Sequence, residues 1–311
     1  MPKTPRIAVV GSANIDLTTF TEQFPKSGET IFGQKFDLGF GGKGANQAAA
    51  ARLCGADVFM VARVGSDLFG PATIENFARL GIDTNQVKQV EGVSTGVAPI
   101  FVDPAGHNRI LVVKGANDHV TPASVDAAES VLKTVDCIVL QFEIPLETVY
   151  YTVQFAAKHK IRCIVNPAPA QPIDLARLAH LDYFVPNEHE AEAISGLPVR
   201  TADDAKRCAE KLLSGIRRVI ITLGANGSLI ANRDGADHIP AYPVKTVDST
   251  GAGDAFIGSF AVFLAEGLSE KESVQRANLY AGLSTTGIGT QKSFFSRERF
   301  ESEWKARQAR N

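Results

Sequence analysis

The chain has 311 residues, of which 44% are hydrophobic, and its formal net charge is −2. This is enough apolar sequence to bury the core of one large domain or two smaller ones, while the small net charge excludes a basic footprint for nucleic acid or an anionic membrane. No apolar run approaches the roughly 20 residues that span a bilayer, no N-terminal stretch has the length of a secretory signal, and the four cysteines form no CxxC pair, so we expect a cytoplasmic protein with buried, reduced thiols.

Short β-branched runs that end in a polar residue or a glycine predict buried strands. They lie at residues 6–12, 137–143, 162–170, 182–188 and 217–227. Helical patterns lie between the later runs, at residues 146–159, 190–195 and 202–213. Strands that alternate with helices in this way predict an α/β fold with a parallel sheet.

The polar residues that end these strands are expected to meet in one crevice. In parallel sheets of this kind, ligands bind beyond the carboxyl ends of the strands. The residues concerned are Asn14, Asp16, Glu143, Asn166, Asn187, Thr222 and Gly224.

Two stretches interrupt the alternation of strands and helices. Residues 16–42 carry turn signals but no helical pattern, and residues 94–118 predict a hairpin whose turn lies at residues 103–106. We therefore expect a small sheet of antiparallel strands, formed by segments at about 14–40 and 94–115, that covers the crevice as a lid.

A glycine cluster at residues 39–56 leads into an alanine-rich helix, with Lys43 and Asn46 at its entry. The cluster matches neither GxxxxGK[ST] nor GxGxxG, because Gln47 stands where the third glycine would be. A tightly packed helix start is one interpretation. The other is that Lys43 and Asn46 bind hydroxyl groups of a ligand.

Two further segments each have a structural and a functional interpretation. Residues 222–227 form either a turn at a strand end or a backbone cradle for a nucleotide. Residues 187–192 form either a helix N-cap with an acidic first turn or a Mg²⁺ site at Glu190. The six histidines show no paired metal spacing, so a zinc site is not expected.

The segment TGAGD, residues 250–254, follows a strand-like run at residues 238–248 and leads into an apolar helix. Glycines at a helix start let unpaired backbone amides approach a ligand, and the helix dipole adds partial positive charge, which suits a phosphate. Asp254 fits beside such a site if it takes a proton from an attacking hydroxyl while the amides stabilise the moving phosphoryl group. The alternative is an aspartate N-cap on a glycine-rich turn.

Together these motifs resemble the ribokinase family of carbohydrate kinases, also called the PfkB family. GSANID at residues 11–16 is similar to the family's sugar-binding strand end, and GGKGANQAAAA at 41–51 and DSTGAGDAFIGSF at 248–260 are similar to its two signatures. The resemblance implies a Rossmann-like αβα sandwich with a mostly parallel sheet and a β-sheet lid. It also implies one kinase domain over residues 1–311, which in this family often pairs lid to lid as a homodimer. The implied reaction is transfer of the ATP γ-phosphate to a sugar hydroxymethyl group, with Mg²⁺.

The resemblance also implies roles for individual residues of this sequence. Asp254 would be the base, the anion hole would be Gly251, Ala252 and Gly253, and the sugar would contact Asn14, Asp16, Gly42, Lys43, Asn46, Glu143 and Asp254. ATP would contact Asn187, Thr222, Leu223, Gly224, Ala225, Asn226, Gly227, Gly253 and Asn278, with Glu190 near Mg²⁺. An activating K⁺ would be held by Asp248, Thr250, Ser284, Gly287, Gly289 and Ser293. This sequence departs from many relatives at Lys292, just before Ser293, where they have proline.

The expected substrate is a pentose, phosphorylated on its 5-hydroxymethyl group. The set of sugar residues fits a ribose kinase, whereas segments such as 94–102 and 289–293 also resemble bacterial deoxyribokinases. The amide of Asn14 is a better partner for a 2-hydroxyl than the methionine of a deoxyribokinase. We therefore favour ribose, with 2-deoxyribose, another sugar or sugar acid, or a nucleoside as the alternative.

The sequence favours a kinase over two other classes of protein. A non-catalytic sugar or nucleotide sensor would be free to lose Asp254 and its glycine turn, and both are present. A Rossmann dehydrogenase requires GxGxxG after the first strand, and residues 6–12 are not followed by it.

Overall fold

The computed structural model describes residues 3–309. The strands in this part of the chain are β1 (Arg6–Val10), β2 (Asn14–Phe20), β3 (Lys35–Gly41), β4 (Asp57–Gly65), β5 (Asp83–Val90), β6 (Gly96–Val102), β7 (Asn108–Ile110), β8 (Cys137–Gln141), β9 (Arg162–Asn166), β10 (Tyr183–Phe184), β11 (Val219–Thr222), β12 (Ser228–Asn232) and β13 (Gly235–Ile239). The helices are α1 (Lys43–Leu53), α2 (Phe69–Leu80), α3 (Pro122–Ala127), α4 (Glu129–Leu132), α5 (Leu146–His159), α6 (Glu188–Ser195), α7 (Ala202–Leu212), α8 (Ala252–Ala265), α9 (Glu270–Ser284) and α10 (Arg297–Gln308).

Nine strands form one large sheet in the order β13-β12-β11-β10-β9-β8-β1-β4-β5. The strands from β11 to β5 run parallel, whereas β12 and β13 are antiparallel additions at one edge. The mostly parallel sheet predicted from the alternation of strands and helices is therefore confirmed.

Helices cover both faces of this sheet, and the side chains of β1 show why. Ile7 and Val9 belong to a core that includes α1, α8 and α9, whereas Ala8 and Val10 belong to a second core that includes α5 and α7. Successive residues of a strand point to opposite faces, so a strand buried on both faces needs an unbroken apolar run. The αβα sandwich follows from that pattern.

Two predicted strands are much shorter in the structure. The run at 182–188 forms only β10, because Pro186 has no N–H to donate to a neighbouring strand. The carbonyl of Pro186 still accepts from the N–H of Thr222 at 3.0 Å. The run at 238–248 contributes only the end of β13, and residues 240–250 are irregular around Pro240 and Pro243. The helix predicted at 146–159 has the predicted bounds, and those of α6 and α7 differ by one or two residues.

The remaining strands form a separate four-stranded sheet, the small sheet, in the order β3-β2-β6-β7. The predicted hairpin joins β6 to β7, and the carboxylate of Asp103 accepts the N–H groups of Ala105 and His107 in its turn. The expected antiparallel pairing is confirmed for β2 with β3 and for β6 with β7, whereas β2 and β6 are parallel. Between them the chain passes through β3, α1, β4, α2 and β5, and so long a connection allows it to return in the same direction.

All four cysteines, Cys54, Cys137, Cys163 and Cys208, are buried free thiols, as predicted. Burial raises the pKa of each thiol, so none is an activated nucleophile. Within residues 3–309, no helix combines the length and the apolar character needed to cross a bilayer.

Candidate active site

Strand ends and helix starts meet at two adjoining cavities beside the large sheet. One cavity of about 140 Å³ is lined by Lys43, Ala168, Val185, Ile257, Asn166, Asn187, Glu190, Thr222, Gly251, Gly253 and Asp254. The other, of about 550 Å³, adjoins it because both are lined by Thr222 and Gly253. The predicted convergence of strand ends is therefore seen for Asn166, Asn187, Thr222 and Gly224.

The start of α1 is held tightly against the start of β2. Gly42, the residue before α1, has φ 88°, and a Cβ built on it would lie 2.8 Å from the backbone nitrogen of Asn14, so only glycine fits. Glu143 then joins this helix start to the segment that follows β1, because its Oε2 accepts from the N–H of Lys43 at 2.9 Å and from the hydroxyl of Ser12 at 2.5 Å. Gly42, Lys43 and Glu143 thus lie close together at the start of α1.

Asn14 and Asp16 lie two residues apart on β2 and therefore share one face of the small sheet. The Oδ1 of Asn14 accepts from Nδ2 of Asn117 at 2.7 Å, which leaves the Nδ2 of Asn14 as the group available to a ligand. Burial and the charges of Glu143 and Asp254 raise the pKa of Asp16 to about 7. Asp16 can therefore donate or accept a hydrogen bond near neutral pH.

The glycine turn before Asp254 presents an open helix start. Gly251 precedes α8 with φ 78°, in the left-handed region, and the N–H of Ala252 donates to the carbonyl of Ser249 at 3.2 Å. A Cβ built on Gly253 meets no atom within 4 Å, so this residue faces open cavity. Amides of a first helical turn lack acceptors within the helix, and the dipole is positive there, so the turn suits an anion.

Asp254 is buried, and both of its carboxylate oxygens are held by amide groups of α1. Oδ2 accepts from Nδ2 of Asn46 at 3.0 Å, and Oδ1 accepts from Nε2 of Gln47 at 3.0 Å. Burial raises the pKa of Asp254, while the charge of Lys43 and the two amide donors oppose that rise. The carboxylate is thus fixed in direction at the first turn of α8, as a general base requires.

Lys43 is the cation that lies among the carboxylates of Asp254, Glu143 and Glu190. Burial disfavours its charged form, but the charges of Asp254, Glu143 and Glu190 outweigh burial and raise its pKa. Lys43 therefore stays protonated at neutral pH, close to the carboxylates of Asp254, Glu143 and Glu190.

Asn187 and Glu190 form the N-terminal cap of α6. The side chain of Asn187 accepts from the N–H of Glu190 at 2.8 Å, and Glu190 Oε2 accepts from the N–H of Asn187 at 2.9 Å. This is the capping-box geometry that the sequence allowed. Glu190 also lines the smaller cavity, and burial raises its pKa.

The larger cavity contains most, but not all, of the predicted nucleotide turn. It is lined by Thr222, Gly224, Ala225, Gly227 and Asn278, together with Ala241, Tyr242, Pro243, Val244, Thr246, Ser249, Ala252, Gly253, Phe256, Ala281, Gly282 and Thr285. Leu223 packs into the core instead, and Asn226 is not among the lining residues. The amide of Asn278 is already bonded, to the carbonyl of Ile239 at 3.2 Å and to the hydroxyl of Ser228 at 3.1 Å.

The apolar wall of the larger cavity, residues 241–244, was not predicted from the sequence. It lies in the irregular segment between β13 and α8, which the sequence suggested was a strand. Two prolines in that run were the signal against a strand. The apolar wall and polar turn together suit a flat heterocycle attached to polar groups.

Asp248 ties the glycine turn to a late loop at residues 285–293. One carboxylate oxygen accepts from the N–H and the hydroxyl of Thr250, at 2.9 and 2.6 Å, and the other accepts from the N–H of Gly289 at 2.9 Å. These hydrogen bonds outweigh burial and lower the pKa of Asp248. The bond to Gly289 places the carboxylate at this loop.

The other residues predicted for a monovalent cation lie around the same loop. Gly287 is close to Ser293, since a Cβ built on Gly287 would lie 3.1 Å from the Ser293 Cβ. Ser284 ends α9, and its hydroxyl donates to the carbonyl of Ala281. The ammonium of Lys292 lies 3.6 Å from Oδ2 of Asp37 on β3, so it pairs with the small sheet rather than with Asp248.

Two buried glutamines beside Asp254 were missed as site residues. Gln47 contacts Asp254 directly, and the Nε2 of Gln141 donates to Oε1 of Gln47 at 2.7 Å. The available signal was Gln141 itself, a polar residue at the end of the apolar strand β8. A polar side chain that is buried needs a hydrogen-bond partner, which marks such a position for attention.

Comparison with known proteins gives consistent matches across the chain. The pattern of the pfkB family of carbohydrate kinases matches residues 4–296. A deoxyribokinase of Salmonella typhi is 45% identical over 296 residues, which cover 94% of this chain and 97% of the relative. A ribokinase of Bacillus subtilis is 40% identical over 295 residues, which cover 95% and 98%.

The fold agrees with these sequence matches. The structure of Arabidopsis thaliana ribokinase complexed with ribose and ATP superposes with a TM-score of 0.90 at 31% identity, covering 96% of this chain and 98% of that one. The large sheet, the small sheet and the glycine turn thus occur in a chain that matches the family along nearly its whole length. This chain belongs to the PfkB family of carbohydrate kinases.

Proposed function

We propose that this kinase transfers the γ-phosphate of ATP to the 5-hydroxymethyl group of a pentose, with ribose as the preferred sugar. The observation that carries the proposal is the position of Asp254. Its carboxylate is held by two amides at the first turn of α8 and lines the smaller cavity, beside the open Gly253, which lines both cavities. A base placed next to an anion site is the arrangement that phosphoryl transfer to a hydroxyl needs.

The sugar would lie in the polar crevice and the nucleotide in the larger cavity. Asn14, Asp16, Lys43, Asn46 and Glu143 offer donors and acceptors suited to hydroxyl groups. Asp254 would accept the proton of the attacking hydroxyl, and the amides at Gly251, Ala252 and Gly253 would stabilise charge on the phosphoryl group, with the N–H of Ala252 exchanging its 3.2 Å bond to the carbonyl of Ser249 for that contact. For ATP we propose contacts with Asn187, Asn278 and the turn at residues 222–227.

We propose Mg²⁺ near Glu190, where it would neutralise charge on the phosphates. Among residues 3–309, no group of three or more His, Cys, Asp or Glu side chains could hold a metal ion. One carboxylate with several waters is nevertheless a usual protein environment for Mg²⁺ when it also binds phosphates. The carboxylate of Glu190 at the cavity wall therefore fits that role.

2-Deoxyribose is the second candidate substrate, because a deoxyribokinase is among the similar relatives at 45% identity. The test is ADP release measured over a panel of pentoses, hexoses and nucleosides. We expect the highest kcat/KM with ribose and measurable turnover with 2-deoxyribose. Turnover confined to hexoses or nucleosides would contradict the pentose assignment.

We also propose a K⁺ ion at Asp248, Thr250, Ser284, Gly287, Gly289 and Ser293. A carboxylate and loop oxygens are suitable ligands for such an ion. The ammonium of Lys292 does not fill the proposed cation site, because it pairs with Asp37. The cation would fix the glycine turn and add positive potential near the anion hole. It would act without touching either substrate.

K⁺ is expected to raise the rate several-fold over Na⁺ or a bulky organic cation at fixed ionic strength. Asp248→Ala should abolish the stimulation and leave some basal turnover, while Lys292→Met should keep the stimulation. Rates are measured after removal of the ion by gel filtration. A rate that is flat from zero to high K⁺ would mean that Asp248 serves only to cap the turn.

We propose that the small sheet closes over the crevice within a single kinase domain and also joins two copies of the chain. Its two faces differ in chemistry, as the register of β2 with β3 shows. Asn14 and Asp16 lie on the crevice face, whereas Leu17 pairs with Leu38 on the outer face, where Phe36 is also exposed. Exposed apolar side chains on a sheet face are typical of a contact surface, and a second copy would cover them.

Phe36→Glu combined with Leu38→Lys is expected to give a monomer, because it places charges on the proposed contact face. The molar mass of the wild type, measured by light scattering, should be that of a dimer. Leu68→Lys is the control, since Leu68 is 91% exposed and lies outside the small sheet. A wild type that is monomeric at every concentration would contradict the proposal.

The cellular setting belongs to the proposal too. Buried free thiols without disulfide bonds are typical of proteins in a reducing compartment. We therefore keep the cytoplasm as the proposed location, which fractionation of cells that express the protein would test.

A further inference from the structure

Gln47 lies at the centre of a buried chain of side-chain amides that ends on Asp254. It is fully buried in α1. Its Nε2 lies 3.0 Å from Oδ1 of Asp254 and 3.2 Å from Oδ1 of Asn166, and its Oε1 accepts from Nε2 of Gln141 at 2.7 Å. Every polar atom of the Gln47 side chain therefore has a partner.

The orientation of the Gln47 amide is set by these neighbours. If the amide were turned over, its oxygen would face the oxygens of Asp254 and Asn166, and its NH₂ group would face the NH₂ group of Gln141. Only the observed orientation pairs donors with acceptors. Gln141 cannot easily move to change this, since its Oε1 packs so close to Gly11 that a Cβ there would lie 2.0 Å away.

Gln141 has a buried polar atom without a hydrogen-bond partner in the described part of the chain, which packing of the core does not explain. The Oε1 of Gln141 is buried and finds no donor within residues 3–309. A buried acceptor without a donor is unfavourable, and an apolar side chain would avoid that cost at the end of β8. What glutamine provides at this position is the Nε2 donor that bonds to Oε1 of Gln47.

We propose that Gln47 is a positioning residue that holds the carboxylate of Asp254 in the direction needed for proton transfer, and that Gln141 fixes the polarity of the Gln47 amide. The inference rests on the proposed role of Asp254 as the base. With Asn46 on one oxygen and Gln47 on the other, the carboxylate cannot rotate about its bond to Cβ without losing a hydrogen bond. Small errors in the position of a catalytic group reduce the rate strongly.

The same donors favour the ionised form of Asp254. The charged groups around it are Lys43 on α1, Asp16 on β2, Glu143 after β8 and Glu190 on α6. Burial raises the pKa of Asp254, and the amide of Gln47 is one of the groups that lower it. Loss of that amide should therefore raise the pKa further.

The test is Gln47→Met, which keeps the length of the side chain and removes the amide. We expect kcat to fall by about tenfold or more, while KM for sugar and for ATP changes little. The acidic limb of the kcat/KM profile should move to higher pH, because the base is active when ionised and its pKa is raised. A purely structural role would lower the active fraction equally at every pH.

Gln141 supplies a second, independent pair of variants. Gln141→Glu replaces the donor that holds Oε1 of Gln47 with an acceptor, so its carboxylate competes with Asp254 for the NH₂ group of Gln47. Gln141→Met only removes the donor. We therefore expect a larger loss of kcat in Gln141→Glu than in Gln141→Met, with sugar binding retained in both by titration calorimetry.

Gln154→Met on the exposed side of α5 is the matched control and should leave kcat and the pH profile unchanged. A folded Gln47→Met with less than a twofold change in kcat and an unmoved acidic limb would overturn the inference. So would equal effects of the two Gln141 variants, if thermal unfolding shows that both are folded. Failure of the proposed function looks different, since Asp254→Asn would then keep wild-type kcat, which would remove the basis of both proposals.

Discussion

Replacing Asp254 with asparagine is expected to lower kcat by at least about two orders of magnitude, the usual scale for loss of a general base. The side chain keeps its size, so sugar and ATP should still bind. What is lost is a group at the start of α8 that can accept a proton. The measurement is steady-state kcat by ADP release, combined with binding of each substrate by calorimetry.

A control separates this effect from a general loss of folding. Asp237→Asn changes an exposed aspartate on the edge strand β13 and should leave kcat unaltered. The wild-type rate should also fall as the pH drops through the pKa of Asp254, because only the ionised carboxylate accepts a proton. Wild-type turnover in Asp254→Asn would remove the assignment of the base.

Asn14→Met is expected to lower kcat/KM for ribose by roughly 5- to 150-fold, which corresponds to about 1–3 kcal/mol for an unpaired polar group. The effect on 2-deoxyribose should be much smaller, because that sugar has no 2-hydroxyl to lose a partner. The structure gives the reason in detail. Asn117 holds the Oδ1 of Asn14, so the Nδ2 of Asn14 is the donor that faces the crevice.

The two sugars must be compared in the same variant, because a change in packing would affect both. Thr19→Met, on the opposite face of β2, is the control and should not alter the ratio of the two kcat/KM values. An equal loss for ribose and 2-deoxyribose would show that Asn14 does not distinguish the 2-position.

Much of the fold was predictable from the sequence because its signals are local. The apolar run of β1 and the helical pattern of α5 determine elements within a few residues, and both were located correctly. The parallel pairing of β2 with β6 was not predictable in this way. It depends on a connection through five intervening elements, which no short pattern describes.

The candidate site shows the same limit at the level of side chains. The turn before Asp254 and the helix start at Lys43 have glycine spacings that indicate function on their own. Gln141 and Asn117 act through partners more than 90 positions away, so their roles required coordinates. The irregular segment at residues 240–250 was misread because its apolar residues line a cavity rather than one side of a sheet.

The two-faced strand β2 has a consequence for anyone who would redesign this enzyme. Positions 14 and 16 point to the crevice, and position 17 points to the outer face where Leu38 lies. Inserting or deleting a single residue in β2 would exchange these faces, placing carboxamide and carboxylate outside and leucine inside. On the roles proposed for the two faces, sugar choice would be re-engineered only by substitution at a fixed strand length, since a change in the length of this segment would displace the proposed sugar contacts and the proposed contact face together.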